Sequence, residues 1–140
     1  MRVRVGPRKG PVSNTSRPTR IAVVDDDASV RKSLGRLLHG AGSEVETFAS
    51  AEGFLSQGES RNPDCLVLDI SLGGMSGLEL RAELAQAGAR IPVVFITAHD
   101  DAATLRALRE TPESPCLRKP FDESLLFEAI GMAMGEAPSP

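Results

Sequence analysis

The sequence predicts an α/β protein built on an open, five-stranded parallel sheet with helices on both faces. Two observations predict it. Five short apolar segments alternate with helix-like segments, and several apolar segments end abruptly in an acidic or hydroxyl side chain. Alternating strands and helices are typical of parallel sheets, whose right-handed crossovers bring the carboxyl end of every strand to one edge. Ligands of such sheets bind outside that edge, so the residues that end the strands are the candidates for function.

Length and composition fit one domain of ordinary globular type. The chain has 140 residues, of which 41% are hydrophobic and 25% charged, values typical of a single folded domain. Its apolar runs are shorter than the roughly 18 residues of a membrane span. The basic N-terminus is not followed by the hydrophobic stretch of a secretory signal. We therefore expect a cytoplasmic protein without membrane insertion.

Residues 1–19 are predicted to form a disordered basic tail, because prolines at positions 7, 11 and 18 interrupt any helix or sheet. Residues 1–20 hold six of the 16 basic residues and no acid, which leaves 10 basic and 19 acidic residues, a net charge of −9, for the rest. A basic arm could contact nucleic acid or an acidic partner. Since Gly, Pro and Ser separate its charges and nothing aromatic accompanies them, we expect a solvated leader and no nucleic-acid partner. The folded domain is predicted for residues 20–134 and a C-terminal tail for residues 135–140.

The first strand and helix follow the tail directly. Residues 21–24 are a short apolar run that closes on three aspartates. Asp27 or a neighbour is expected to cap a helix that ends at Gly40 or Gly42. The apolar face of this helix is predicted to consist of Val30, Leu34, Leu37 and Leu38.

The next segments predict an edge strand, a short helix and the central strand. Residues 44–48 alternate between polar and apolar side chains, and Ser50 is a plausible cap for a helix that holds Phe54 and Leu55. After the break at Asn62-Pro63, residues 65–69 form an apolar run that ends in one carboxylate. Such a run is typical of a strand buried on both faces.

A second strand-helix pair follows the glycine-rich turn after the central strand. Residues 78–87 predict a helix with Leu80 and Leu84 facing inward, closed by Gly88. Residues 91–96 predict a fourth buried strand that ends at Thr97, with its proline tolerated near the start.

The C-terminal third predicts two more helices around a short fifth strand. Asp100 or Asp101 is a candidate cap for a helix that Pro112 stops. Residues 114–118 predict the strand, and Asp122 is expected to cap the last helix, whose inward row is Leu126, Ile130 and Met134.

Polar side chains at the strand ends form the candidate site. Asp25 and Asp26 end the first strand, Asp69 the third, Thr97 the fourth and Lys119 the fifth. Three carboxylates at one edge repel one another, and a hard cation such as Mg²⁺ resolves that repulsion. With one hydroxyl and one ammonium added, the set suits a phosphoryl group, because a metal and a lysine can neutralise its oxygens while a carboxylate attacks its phosphorus.

The two cysteines are predicted to be buried free thiols. Cys65 and Cys116 lie in apolar, strand-like segments, and no Cys-x-x-Cys or His/Cys cluster surrounds them. Free cysteine behaves as a small hydrophobe in a reducing compartment.

Four motifs together resemble the receiver domain of two-component response regulators. They are Val24-Asp25-Asp26, Asp69 with Met75-Ser76-Gly77-Leu78 after it, Thr97-Ala98, and Lys119-Pro120-Phe121. The likeness covers residues 20–134, nearly the whole predicted fold. It implies the flavodoxin-like strand order 2-1-3-4-5.

The resemblance also implies a role for each site residue. Asp69 would be the phosphoacceptor, Asp26 would bind Mg²⁺ directly, and Asp25 would bind it mostly through water. Asp69 itself and the backbone carbonyl of Ser71 would complete the protein's metal ligands. Thr97 and Lys119 would bind the acyl phosphate, and Lys119-Pro120 would be a cis peptide.

The implied partners are a sensor histidine kinase or a histidine phosphotransfer protein as donor, and a downstream protein as target. A weak or phosphorylation-dependent dimer is a further expectation. We expect a stand-alone receiver, since the chain ends about where its last helix ends. It would be no enzyme beyond Mg²⁺-dependent phosphorylation and dephosphorylation of its own Asp69.

Two alternatives stay open at this point. The chain could be a phosphorylation-independent binding module with a receiver fold. It could also be a small-molecule phosphatase with an aspartyl intermediate, although such enzymes often place a second acid two residues after the nucleophile, where this chain has Ser71.

The sequence departs from the receiver pattern at three places. Gly73 replaces the usual proline of the active-site loop, which makes this loop more flexible. Cys116 occupies the position that usually holds an aromatic switch residue. Residues 111–115 contain two prolines in place of a small, glycine-containing link. We therefore expect muted or unusual coupling from phosphorylation to output through this face.

Overall fold

In the computed structural model, which describes residues 17–58, 62–98 and 102–135, five parallel strands form one sheet in the order β2-β1-β3-β4-β5. The strands are β1 (Arg20–Val24), β2 (Glu44–Phe48), β3 (Cys65–Asp69), β4 (Val93–Thr97) and β5 (Cys116–Arg118). The helices are α1 (Ala28–Gly40), α2 (Ala51–Gly53), α3 (Gly77–Gln86), α4 (Ala102–Leu108) and α5 (Glu123–Ala133). The predicted fold class and strand order are confirmed.

Helices cover both faces of the sheet, as predicted. Successive residues of a strand point to opposite faces, so each buried strand contributes to two separate cores. Leu66 and Leu68 of β3 pack in one core with Leu80 and Leu84 of α3. Val67 packs in the other core, which also contains Leu34 and Leu38 of α1 and Leu126 and Ile130 of α5. Strands β3 and β4 are buried along their full length.

The register of the sheet brings the strand ends to one level. Val24 pairs with Leu68 across β1 and β3. Asp69 pairs with Ile96, and Thr97 pairs with Arg118 on β5. The residues that follow or end these strands therefore share one edge, as the parallel topology predicts.

Two of the predicted helix caps have different outcomes. The Asp27 carboxylate accepts hydrogen bonds from the N–H groups of Ser29 and Val30, which confirms it as the cap of α1. Asp122 occupies the N-cap position of α5, but its side chain makes no cap hydrogen bond. Its backbone carbonyl instead accepts from the N–H groups of Leu125 and Leu126, so the prediction of a side-chain cap there is wrong.

Several element boundaries differ from prediction for local reasons. Strand β4 begins at Val93, because Pro92 has no N–H to give to the ladder and offers only its carbonyl, which accepts from Leu66. Strand β5 is shorter than predicted, since the Ser114 N–H turns back to the Thr111 carbonyl. The predicted helix after Ser50 is an α-helix only over α2 and continues as a π-helical turn over Phe54–Gly58.

The prediction of two buried cysteines holds for Cys65 and is wrong for Cys116. Both thiols are free, but Cys116 is exposed. Strand β5 lies at the edge of the sheet and alternates between exposed and half-buried residues. An edge strand has a neighbour on one side only, so less of its surface is covered.

The predicted tails and the α4 cap fall mostly outside the described residues, which exclude residues 1–16, 99–101 and 136–140. Arg17 is described, and its guanidinium contacts both oxygens of Asp64 at 2.9 Å. The Asp64 carboxylate also accepts from the Arg20 N–H at 2.8 Å. Within the described part of the chain, no helix is long and apolar enough to cross a membrane.

Candidate functional site

Three aspartates from two neighbouring strands converge at the carboxyl edge of the sheet. Asp25 follows β1 and is fully buried, and Asp69 ends β3 with 4% of its surface exposed. Asp26 is exposed. One carboxylate oxygen from each of the three lies within 4.8 Å of the others. The sequence prediction that these side chains meet is therefore confirmed.

Lys119 joins the two buried carboxylates. Its ammonium nitrogen lies 2.9 Å from Asp25 Oδ2 and 3.3 Å from Asp69 Oδ2. The Lys119 backbone N–H donates to the carbonyl of Thr97 at 2.8 Å, which fixes the residue at the end of β5. The peptide bond between Lys119 and Pro120 is cis, as expected. One cation thus lies between two clustered carboxylates and offsets part of their repulsion.

Thr97 and Ser71 complete the set of predicted site residues. Thr97 is the last residue of β4, with 4% of its surface exposed. The Ser71 N–H donates to Asp69 Oδ1 at 3.1 Å, so the start of the loop after β3 folds back on the carboxylate. All six predicted residues therefore lie on one edge of the sheet, on β1, β3, β4, β5 or the residues directly after them.

The electrostatics of the site follow from this crowding. Burial and then the charge of Asp25 raise the pKa of Asp69, and Lys119 opposes this rise. For Lys119 burial alone would lower the pKa, but the hydrogen bond to Asp25 and the nearby Asp69 charge hold its pKa above the ordinary value. The lysine therefore stays cationic and favours the carboxylate form of Asp69.

The donor set suits a hard divalent cation. Carboxylate oxygens are the side-chain ligands that Mg²⁺ prefers, usually one or two directly with water completing the shell. Asp25 already accepts from the Asp27 N–H at 2.9 Å through Oδ1 and from Lys119 through Oδ2. Both oxygens of Asp69 also accept, from the Ser71 N–H and from Lys119. Asp26 is exposed, so its carboxylate is the most accessible of the three to a metal.

Sequence reasoning missed one residue beside the site. Arg31 lies on α1, and its Nη1 donates to the backbone carbonyl of Asp25 at 2.8 Å. This contact fixes the main chain between β1 and the Asp27 cap. Arg31 lies in the first turn of α1, directly after the acidic cluster, but this position does not by itself predict the hydrogen bond.

Ser76 is a second missed residue, although a sequence signal for it exists. Its hydroxyl accepts from the Glu79 N–H, and the Glu79 carboxylate accepts from the Ser76 N–H, which makes a capping box for α3. The Ser-x-x-Glu spacing predicts such a cap. It also explains why α3 begins at Gly77, one residue before the predicted start.

Comparisons with known proteins agree on one family. Residues 21–131 match the family described as response regulator receiver domain. The transcriptional regulatory protein FixJ of Azorhizobium caulinodans is 35% identical over 84% of this chain and 56% of its own length. Nodulation protein W of Bradyrhizobium diazoefficiens is 42% identical over 79% of this chain and 48% of its own length. The chain thus spans about half the length of these curated relatives.

A solved structure has a similar fold. The crystal structure of FixJ-N superposes with a TM-score of 0.77 at 30% sequence identity. The match covers 89% of this chain and 100% of that chain.

Proposed function

The chain belongs to the response regulator receiver family, and on this premise we propose that it is a phosphorylation-dependent signalling module whose phosphoacceptor is Asp69. The observation that carries the proposal is the position of the Lys119 ammonium, 2.9 Å from Asp25 and 3.3 Å from Asp69, with Thr97 at the end of the next strand. A carboxylate, an ammonium and a hydroxyl at one edge are the groups that phosphoryl transfer to an aspartate uses.

The proposed cofactor is Mg²⁺, held by Asp26 and Asp69 directly, by Asp25 through water and by the Ser71 carbonyl. When bound, this ion would neutralise phosphoryl oxygens and relieve the repulsion among the three carboxylates. Support comes from the convergence of the three carboxylates within 4.8 Å.

In the proposed reaction the Asp69 carboxylate attacks the phosphorus of a phosphohistidine. The new O–P bond forms as the P–N bond to the donor imidazole breaks. Lys119 neutralises charge on the acyl phosphate, and the Thr97 hydroxyl donates a hydrogen bond to it. The Ser71 N–H, which already contacts Asp69 Oδ1 at 3.1 Å, orients the nucleophile before attack.

The donor is proposed to be a sensor histidine kinase or a histidine phosphotransfer protein, and the target a downstream protein. We propose a cytoplasmic location, where the free thiols of Cys65 and Cys116 stay reduced. Apart from chemistry on its own Asp69, the domain is proposed to turn over no substrate. Three further predictions stay untested. They are a folded domain over residues 20–134, a weak dimer and the absence of a nucleic-acid partner.

Intact-mass spectrometry after incubation with Mg²⁺ and acetyl phosphate tests this function. The wild-type chain should gain the mass of one phosphoryl group, and Asp69→Asn should gain none. Omitting Mg²⁺ or adding EDTA should abolish the gain. A matched control is Asp64→Asn, which removes a carboxylate at the opposite end of β3 and should leave the gain unchanged.

Two outcomes would count against the proposal. No mass gain in the wild type would favour the phosphorylation-independent binding module. A gain that survives Asp69→Asn would place the phosphoryl group elsewhere and reject the assigned role.

A further inference from the structure

The loop that joins β3 to α3 carries the Ser71 carbonyl. Its two ends and its middle are held by different hydrogen bonds. At its start the Ser71 N–H contacts Asp69 Oδ1. At its end the Gly77 N–H donates to the Ile70 carbonyl at 3.0 Å, and a Cβ at Gly77 would lie 2.3 Å from the Asp69 carbonyl oxygen. Both ends therefore have contacts of their own.

The middle of this loop consists of residues that cannot anchor it with polar side chains. Gly73 and Gly74 are exposed, and Gly74 has a φ of +80°. Glycine leaves the backbone free to move, and the sequence has no proline at position 73 to restrict it. Leu72 is buried in the core and Met75 packs against it, so the two glycines lie between apolar anchors. A polar contact from outside the loop would restrict the glycines further.

Glu52 on α2 supplies such a contact. Its Oε2 accepts from the Met75 N–H at 3.0 Å, across 23 residues of sequence. The same oxygen lies 3.0 Å from where a Cβ on Gly74 would stand, so the carboxylate packs directly against the glycine backbone. The Ser50 hydroxyl accepts from the Gly53 N–H at 3.0 Å and so fixes the turn that carries Glu52.

Glu52 is ionised in its hydrogen bond with the Met75 N–H. The Met75 N–H is the main cause that lowers the pKa of Glu52 below its ordinary value. Hydrogen bonds to an ionised acceptor are stronger than neutral ones. The carboxylate is therefore ionised near neutral pH, in the form that binds the loop best.

We propose that Glu52 is a positioning residue that holds the β3–α3 loop so that the Ser71 carbonyl faces the metal site. This inference rests on the proposed Mg²⁺-dependent function and adds to it. Outer contacts that orient a ligand alter metal affinity. Loss of Glu52 should therefore weaken Mg²⁺ binding.

The test compares Glu52→Ala with Glu52→Gln in the full chain. Mg²⁺ alone is titrated, and its Kd is read from backbone amide shifts of ¹⁵N-labelled protein. Glu52→Ala should raise this Kd about three- to tenfold, the range expected for loss of one hydrogen bond. Glu52→Gln keeps an acceptor oxygen but loses the charge, so its Kd should rise less than that of Glu52→Ala. The Met75 amide should exchange faster in Glu52→Ala.

Glu83→Ala is the matched control, because it removes an exposed glutamate from α3. Its Kd for Mg²⁺ should equal that of wild type. The inference is overturned if Glu52→Ala binds Mg²⁺ as tightly as wild type, or if Glu52→Gln and Glu83→Ala weaken binding as much as Glu52→Ala. A wild-type chain that binds no Mg²⁺ would instead reject the proposed function, and this inference with it.

Discussion

The ammonium of Lys119 lies 2.9 Å from Oδ2 of Asp25, and Asp25 is fully buried. Lys119 keeps 21% of its side chain exposed. A buried carboxylate without a cation is costly, so this pair stabilises the edge of the sheet that carries the proposed phosphorylation site.

Lys119→Met removes the cation and keeps most of the side-chain length. We expect the free energy of unfolding in urea with EDTA to fall by about 2 kcal/mol, below the 3–5 kcal/mol typical of a fully buried pair, because solvent reaches Lys119. Adding Asp25→Asn should recover part of this loss, since it removes the unpaired charge. A Lys119→Met chain as stable as wild type would contradict the account.

Mg²⁺ should stabilise the fold by binding the native carboxylate cluster. At ten times its Kd the expected gain is about 1.4 kcal/mol, measured as a rise in Tm at constant ionic strength. Asp26→Asn and Asp69→Asn should each show a smaller rise, because each removes a proposed ligand. An equal rise in these variants and wild type would mean that Mg²⁺ binds elsewhere.

The two thiols should differ in their reaction with a disulfide reagent. Burial raises the pKa of Cys65 to about 12, so at pH 8 it is almost wholly protonated and should react only on unfolding. Cys116 is exposed and should react first. Its neighbours still desolvate the thiol and raise its pKa above the ordinary 9.0, so its rate should keep rising as the pH passes 9. The fast phase should be lost in Cys116→Ser and kept in the matched control, Cys65→Ser. A fast phase that survives Cys116→Ser would contradict this assignment.

Arg81 should hold the link between α4 and β5. It pairs with Glu113, and its Nε lies 3.4 Å from the Ser114 hydroxyl. Arg81→Ala should speed amide exchange over residues 111–116 about two- to threefold, as expected for a partly exposed ion pair. Arg81→Lys should speed it less. Unchanged exchange in Arg81→Ala would mean that the two prolines and the backbone bonds stiffen the link by themselves.

The fold could be predicted because its strands are short apolar runs that stop at polar residues. Residues 65–69 are buried throughout, and their continuous apolar run is typical of a strand covered on both faces. The strand order implied by the resemblance also puts β5 at an edge, so the exposure of Cys116 was available from the predicted topology. Asp122 has the predicted N-cap position of α5, but its side chain makes no cap hydrogen bond. The pattern predicted the position of the cap and not the group that accepts.

The strand-end residues of the site could be predicted, because a parallel sheet brings the carboxyl ends of its strands to one edge. The contacts of Arg31 with Asp25 and of Glu52 with Met75 could not. Each depends on the path of a helix or loop relative to the sheet, and a hydrogen bond across 23 residues leaves no periodic signal in the sequence. Such contacts can be found only once the backbone is in place.

The central claim is that Asp69 carries the phosphoryl group, and its chemical location tests this most directly. Borohydride reduces an aspartyl phosphate to homoserine, which tandem mass spectrometry can place in the sequence. After treatment with Mg²⁺ and acetyl phosphate, we expect homoserine at position 69. Homoserine at position 25 or 26, or none in a chain that has gained phosphoryl mass, would contradict the account.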